Sequence, residues 1–178
     1  MFDPRTPRQR PSLDHQFLKR GYSTRYEAPS SYNHLITIVY FVEAADSLTF
    51  AQLFLNDGRA DGRQVLKPET VKLVTQNAIG TLDVRLFKTS VPAYSKGAEF
   101  FPGMVKKWGL GFMISTTAAP GGRSADSLAW AGLGNTYFWI DPAHGVAGVI
   151  LMQVIPFADG KALALFGEFE KAVYAALS

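Results

Sequence analysis

The side chains able to do chemistry are few and scattered. The chain has three histidines, His15, His34 and His144, and no cysteine. Without cysteine there is no disulfide, no thiolate zinc site and no thiol nucleophile. Three separated histidines with no carboxylates at ligand spacing offer no metal site. His144 follows a proline in the segment "DPAHG" (141–145), and the sequence shows no serine partner for it to activate. A general base must reach the proton it takes, so His144 reads as a surface histidine. The glycine pieces at 109–111, 121–122 and 132–134 are not followed by the Gly-Lys-Ser/Thr of a phosphate loop. "GYST" (21–24) reads as a turn beside a basic segment.

The elements that must position any site lie in the body of the chain. Of 178 residues, 47% are hydrophobic and 19% charged, the balance of a globular protein with one core. The net charge of +3 belongs to residues 1–34, where six Lys/Arg face three acids; this segment is read as an irregular, basic N-terminal stretch. Its surplus is too small, and too poor in interleaved aromatics, for a nucleic-acid surface, so no nucleic acid is expected as partner. The longest apolar runs, 35–42 and 146–152, are far shorter than the roughly 18 residues of a membrane span. No membrane partner and no apolar export signal are expected, and the cytoplasm is the default location.

The second unit is taken as 35–178. "LITIVYFV" (35–42) has the content of a buried strand, although so short a run fits a helical turn as well. From Asp46, "DSLTFAQLFLNDG" predicts a helix capped by Asp46 or Ser47, with Leu48, Ala51, Phe54 and Leu55 on one face and a stop at Asn56-Asp57-Gly58. Two glycine turns follow, and Pro68 opens a second helix in "KPETVKLVTQN". After a long turn-rich stretch, strands are predicted at 107–116, 127–132, 136–141 and 146–153, forming an antiparallel meander. Asn135, Tyr137 and Trp139 are read as alternating outward and inward, with Tyr137 a packing residue. Pro142 and Gly145 suit a tight turn. The last stretch predicts a helix with Leu163, Phe166, Phe169, Val173 and Leu177 on its apolar stripe and Lys161, Glu168, Glu170 and Lys171 largely outside it. The fold class is α+β: an antiparallel sheet, a C-terminal helix packed on it, and a helix-turn-helix segment.

Three stretches, 50–77, "WGLGF" (108–112) and "WAGLGNTYFWIDPAHGVAGVILMQVIPFAD" (130–159), together resemble the C-terminal half of the serine β-lactamase and penicillin-binding-protein superfamily. The similarity covers about 46–178 and points to the class C-like branch of esterases and transesterases. In that family a Ser-x-x-Lys pair supplies the acylating serine, a tyrosine motif a second proton-transfer group, and a Lys-Thr-Gly or Trp-x-Gly triplet the opposite wall. The resemblance implies that Trp130-Ala131-Gly132 is this wall, with Gly132 leaving room for backbone approach. It also implies that the Leu133 amide is one oxyanion donor; losing such a donor typically costs about 3–4 kcal/mol. Trp108, Tyr137 and Trp139 would be acyl-pocket aromatics. Taken alone, a Trp-x-Gly on a strand is ordinary packing.

No serine of the chain has lysine three residues later. Residues 1–45 are too short to hold both that motif and the N-terminal strands of the family sheet. The expectation is therefore a partial β-lactamase-like domain with no catalytic residue of its own and no cofactor. It would meet a small ester or amide substrate only when completed by the missing half. The alternative expectation is a non-catalytic remnant whose strand at 146–153 offers an edge for self-association.

Overall fold

The computed structural model describes residues 44–177. The predicted basic segment 1–34, the strand-like run 35–42, "GYST", His15 and His34 lie outside the described residues. Helix α1 spans Ala44–Leu55 and buries Ala51 and Phe54, with Asp46 in its first turn. Its C-terminus turns through Asp57 and Gly58, both at positive φ, and the Gly58 N–H closes back on the Leu53 carbonyl. The two-residue strands β1 (Arg59–Ala60) and β2 (Arg63–Gln64) form a hairpin about Asp61-Gly62. Both turn residues have positive φ, as a two-residue Asp-Gly hairpin requires. Helix α2, Pro68–Thr75, starts on its proline as expected.

Five further strands make one antiparallel meander in sequence order: β3 (Lys106–Trp108), β4 (Met113–Ser115), β5 (Leu128–Gly132), β6 (Thr136–Asp141) and β7 (Val146–Ile150). Helix α3, Gly160–Leu177, closes the fold. The cross-strand register sorts the sheet into two faces. Ile114, Leu128 and Ile140 pack with Ala51 and Phe54 of α1 and Val71 of α2. Met113, Ala129, Tyr137 and Trp139 pack with Ala162, Phe166 and Tyr174 of α3. A sheet apolar on both faces must be covered on both, which gives helix, sheet and helix layers.

Four expectations are corrected. The predicted strand 107–116 is a hairpin of two short strands, with Trp108 opposite Met113. Its turn docks on the end of α2: the Leu110 N–H donates to the Val74 carbonyl, and a Cβ on Gly109 would stand 2.4 Å from that oxygen. Only glycine tolerates so close a backbone approach. Asn135, Tyr137 and Trp139 do not alternate; they lie two residues apart, share one face, and are at most 1% exposed. On α3 the buried row is Ala162, Phe166, Glu170 and Tyr174, while Leu177 is exposed. Glu170 turns inward because its carboxylate meets Arg123. Finally, β7 ends at Ile150, since the chain then turns so that the Val154 N–H reaches the Gly134 carbonyl. Gly145 adopts φ +66° in the predicted tight turn.

Candidate functional site

Among the described residues the C-terminal half of β5 has one strand neighbour. β4 reaches only as far as Met113 opposite Ala129, whereas Trp130, Ala131 and Gly132 pair with Phe138, Tyr137 and Thr136 of β6. In an antiparallel ladder successive residues bond to opposite sides. Because the Ser115 N–H donates to the Ser127 carbonyl, the odd-numbered residues of β5 face the β4 side. The Ala131 amide group therefore faces the flank on which β4 provides no partner among the described residues, and Leu133 follows in the turn that ends the strand. Among the described residues the Leu133 N–H has no hydrogen-bond partner. A Cβ at Gly132 would find only Thr136 Cβ, at 3.7 Å, an ordinary contact. Internal packing does not demand glycine there, and its missing side chain leaves the strand open to approach.

An aromatic wall stands beside this edge. Trp130 meets Trp108 edge-on with ring centroids 4.5 Å apart, and Phe87 lies 5.5 Å away. Phe87 and Phe100 come from the long stretch 78–105, which is held by paired bonds between Phe87 and Ala98 and by the Lys96 N–H donating to the Phe157 carbonyl. The buried Lys106 ammonium ties the same stretch down, donating to the carbonyls of Phe101 (3.0 Å) and Met104 (2.7 Å). Burial lowers its pKa, against an opposing pull from Glu99.

Behind the wall, the expected pocket aromatics divide. Trp108 stays at the wall. Tyr137 is 1% and Trp139 0% exposed, so neither presents a surface to a substrate. The Tyr137 ring stacks on Phe166 at 4.8 Å and its hydroxyl donates to Asn135 Oδ1 at 2.7 Å. Burial pushes that hydroxyl up to about 12, partly opposed by a hydrogen bond from the Ala158 backbone. Trp139 lies among Phe166, Phe169 and Tyr174. These two rings are core because β6 is covered by α3, which the spacing of β6 alone does not reveal.

A second constellation went unseen in the sequence. Ser124, His144 and Asp141 converge: Ser124 Oγ lies 2.8 Å from His144 Nδ1, and the same nitrogen lies 2.9 Å from Asp141 Oδ2. The serine partner denied to His144 thus exists, brought from 20 residues away. Yet an acyl-transfer relay needs the carboxylate on one ring nitrogen and the serine on the other. Here both contacts fall on Nδ1, so the ring cannot pass a proton from serine toward the carboxylate side. Asp141 is instead a structural anchor, accepting from the Ser124 N–H at 2.8 Å and the Tyr174 hydroxyl at 2.7 Å. Burial alone would raise its carboxyl, but the N–H of Ser124, the Tyr174 hydroxyl and His144 together hold it down at about 2. The Tyr174 hydroxyl is raised in turn, by burial first and by its bond to Asp141 second. Among the described residues no group of three or more His, Asp or Glu could hold a metal ion, and no helix is long and apolar enough to cross a membrane.

The geometry of β5, its open flank and the flanking helices can now be set beside known proteins. No protein-family model matches the chain. The unliganded simvastatin synthase LovD of Aspergillus terreus superposes with a TM-score of 0.55 at 21% identity, covering 74% of this chain and 34% of that one. A β-lactamase from Mycobacterium bovis gives 0.51 at 23% identity, covering 74% and 43%. This is the C-terminal part of a β-lactamase-type fold. In sequence, the chain is 32% identical over 118 residues to the ML-236A carboxylate methylbutanoyltransferase of Penicillium citrinum. It is 30% identical over 120 residues to Rv1367c of Mycobacterium tuberculosis. Those stretches are 62% and 64% of this chain but only 28% and 27% of the two relatives. The chain thus spans under a third of the length of the curated relatives it matches, and its resemblance to β-lactamase-type proteins is one of fold.

Proposed function

We propose that this chain carries the oxyanion wall of a β-lactamase-related serine hydrolase of the esterase or transesterase type. The acylating serine belongs to residues outside it, so the chain alone is inactive. The observation that supports this most is the end of β5, which among the described residues has no strand partner beyond Ala129 on the β4 side and leaves the Leu133 N–H unpaired, with the Trp130 ring, packed on Trp108, close by in the same strand. A backbone amide without an internal partner is the kind of donor that stabilises the oxygen of a tetrahedral acyl-transfer intermediate. Trp130, Ala131, Gly132 and Leu133 form the wall, and no residue of the chain has the Ser-x-x-Lys spacing of the nucleophile. The substrate class is a small ester or amide; the methylbutanoyl transfer in the name of one relative accords with a short acyl group. The proposed compartment is the cytoplasm.

The test is intact-protein mass spectrometry after incubation with a penicillin or a fluorophosphonate. Unmodified mass is expected, including at Ser124, whose imidazole contact is on the wrong nitrogen. A stoichiometric covalent adduct would overturn the proposal.

A second reading has its own observation. β7 has β6 as its only neighbour in the described sheet, and an unpaired strand edge is a template for another chain. Under this reading the protein self-associates through Val146–Ile150. Sizing chromatography that gives a monomer at every concentration, with amides of 146–150 protected from exchange, would refute it.

A further inference from the structure

Asn135 is a fully buried residue in the left-handed region, φ +60°, two positions after Leu133. Its carboxamide spends all of its bonding capacity on other segments. Nδ2 donates to the carbonyls of Val154 and Pro156, each at 2.8 Å. Oδ1 accepts from the Tyr137 hydroxyl at 2.7 Å and from the Asp159 N–H at 3.1 Å. One side chain therefore clamps the β5–β6 turn to the 151–159 crossing, to β6 and to the entry of α3. Two backbone bonds complete the frame: the Asn135 N–H donates to the Gly132 carbonyl, and the Val154 N–H to the Gly134 carbonyl. Leu133 sits inside this frame, 48% exposed, and its N–H has no hydrogen-bond partner among the described residues.

A free amide next to a chain reversal has no hydrogen bond of its own to fix its direction. Oxyanion stabilisation depends on donors oriented before the charge develops. We propose that Asn135 is the positioning residue that holds the Leu133 N–H in one fixed direction, acting through the turn rather than by touching a substrate. The inference rests on the reading of Leu133 as an oxyanion donor for its functional meaning. The positioning itself is a property of the chain as it stands. Buried amides that satisfy several backbone groups at once specify a single local conformation, and asparagine is among the few side chains that accept the left-handed region readily.

The experiment is backbone 15N relaxation on the whole chain, comparing wild type with Asn135→Gly and Asn135→Asp. Asn135→Gly keeps the backbone conformation accessible and removes all four bonds; Asn135→Asp keeps the acceptor oxygen and loses the two donated bonds. In wild type the Leu133 order parameter is expected near the rigid-backbone value of about 0.85. In Asn135→Gly it should fall toward the flexible range below about 0.6, with a smaller fall in Asn135→Asp, while amides of β3 and β4 keep their values. General loss of stability does not single out one amide in the folded state, so this contrast separates positioning from ordinary structural support. Unchanged order at Leu133 in both variants, or a wild-type Leu133 already disordered, overturns the inference. So does failure of both variants to fold, which would make Asn135 a determinant of the whole fold instead of one turn. A covalent adduct in the mass-spectrometric test would instead refute the incomplete-site reading and leave these order parameters untouched.

Discussion

Replacing Glu170 by leucine removes the one acidic partner that a fully buried guanidinium has among the described residues. Arg123 is 0% exposed. Its Nε donates to Glu170 Oε1 at 2.9 Å, its Nη2 to Oε2, and its backbone N–H to Oε1 at 3.2 Å. The group is also enclosed by rings, with its central carbon 5.0 Å from the Phe101 centroid and 5.7 Å from those of Trp139 and Phe166. Removing one member of such a pair leaves an uncompensated buried charge, which costs about 3–5 kcal/mol. Exchanging both members for apolar residues of similar volume is often neutral or stabilising. Glu170→Leu and Arg123→Met are each expected to lose stability on that scale. At about 2–4 °C per kcal/mol for a domain of this size, the melting temperature should fall by roughly 10 °C. The double variant should recover most of the loss. Urea denaturation followed by tryptophan fluorescence reads all four corners of the cycle, because Trp139 lies against the pair. Losses below about 1 kcal/mol in the single variants, or a double variant whose loss equals their sum, would refute the reasoning.

Two further outcomes follow from single contacts. Asp141 titrates at about 2 in the folded chain against an ordinary 3.8. Its depressed pKa contributes stability present above about pH 4 and lost as pH falls toward 2, on the order of 2 kcal/mol. Asp141→Asn should flatten the urea midpoint between pH 4 and 2, and an unchanged pH profile would show that the buried anchor is not what titrates. At Gly148 an added Cβ would lie 2.1 Å from the Trp139 ring. Gly148→Ala should therefore cost about 1–3 kcal/mol through overpacking, read as a lower melting temperature, and a variant as stable as wild type would mean the ring moves freely.

Much of the body was legible because its signals are local. The Asp57-Gly58 stop of α1, Pro68 at the start of α2, the Thr136–Asp141 strand and the turn at Gly145 all follow from residues within a few positions of one another. The antiparallel order and the closing helix follow from short strands separated by turns. The errors share a cause as well. The run 107–116 has no charged or amide residue between Trp108 and Ile114 to break it, and what splits it is the carbonyl of Val74 pressing on Gly109. Glu170 reads as a solvent-facing charge until Arg123, 47 residues away, is brought beneath it. Trp139 reads as a pocket wall until α3 covers it.

The same division governs the candidate site. The Trp130-Ala131-Gly132-Leu133 stretch and the missing Ser-x-x-Lys spacing are properties of the residue order alone, fixed by identity and short-range spacing. That β4 stops at Met113, so that the next residues of β5 have no partner on that side among the described residues, was decided by tertiary structure, as was the meeting of Ser124, His144 and Asp141. So was the anchoring of the 133–135 turn through Asn135 to carbonyls 19 and 21 residues away. Dihedral preferences and alternation act over neighbouring residues, whereas burial and hydrogen-bond satisfaction depend on what the folded chain brings close.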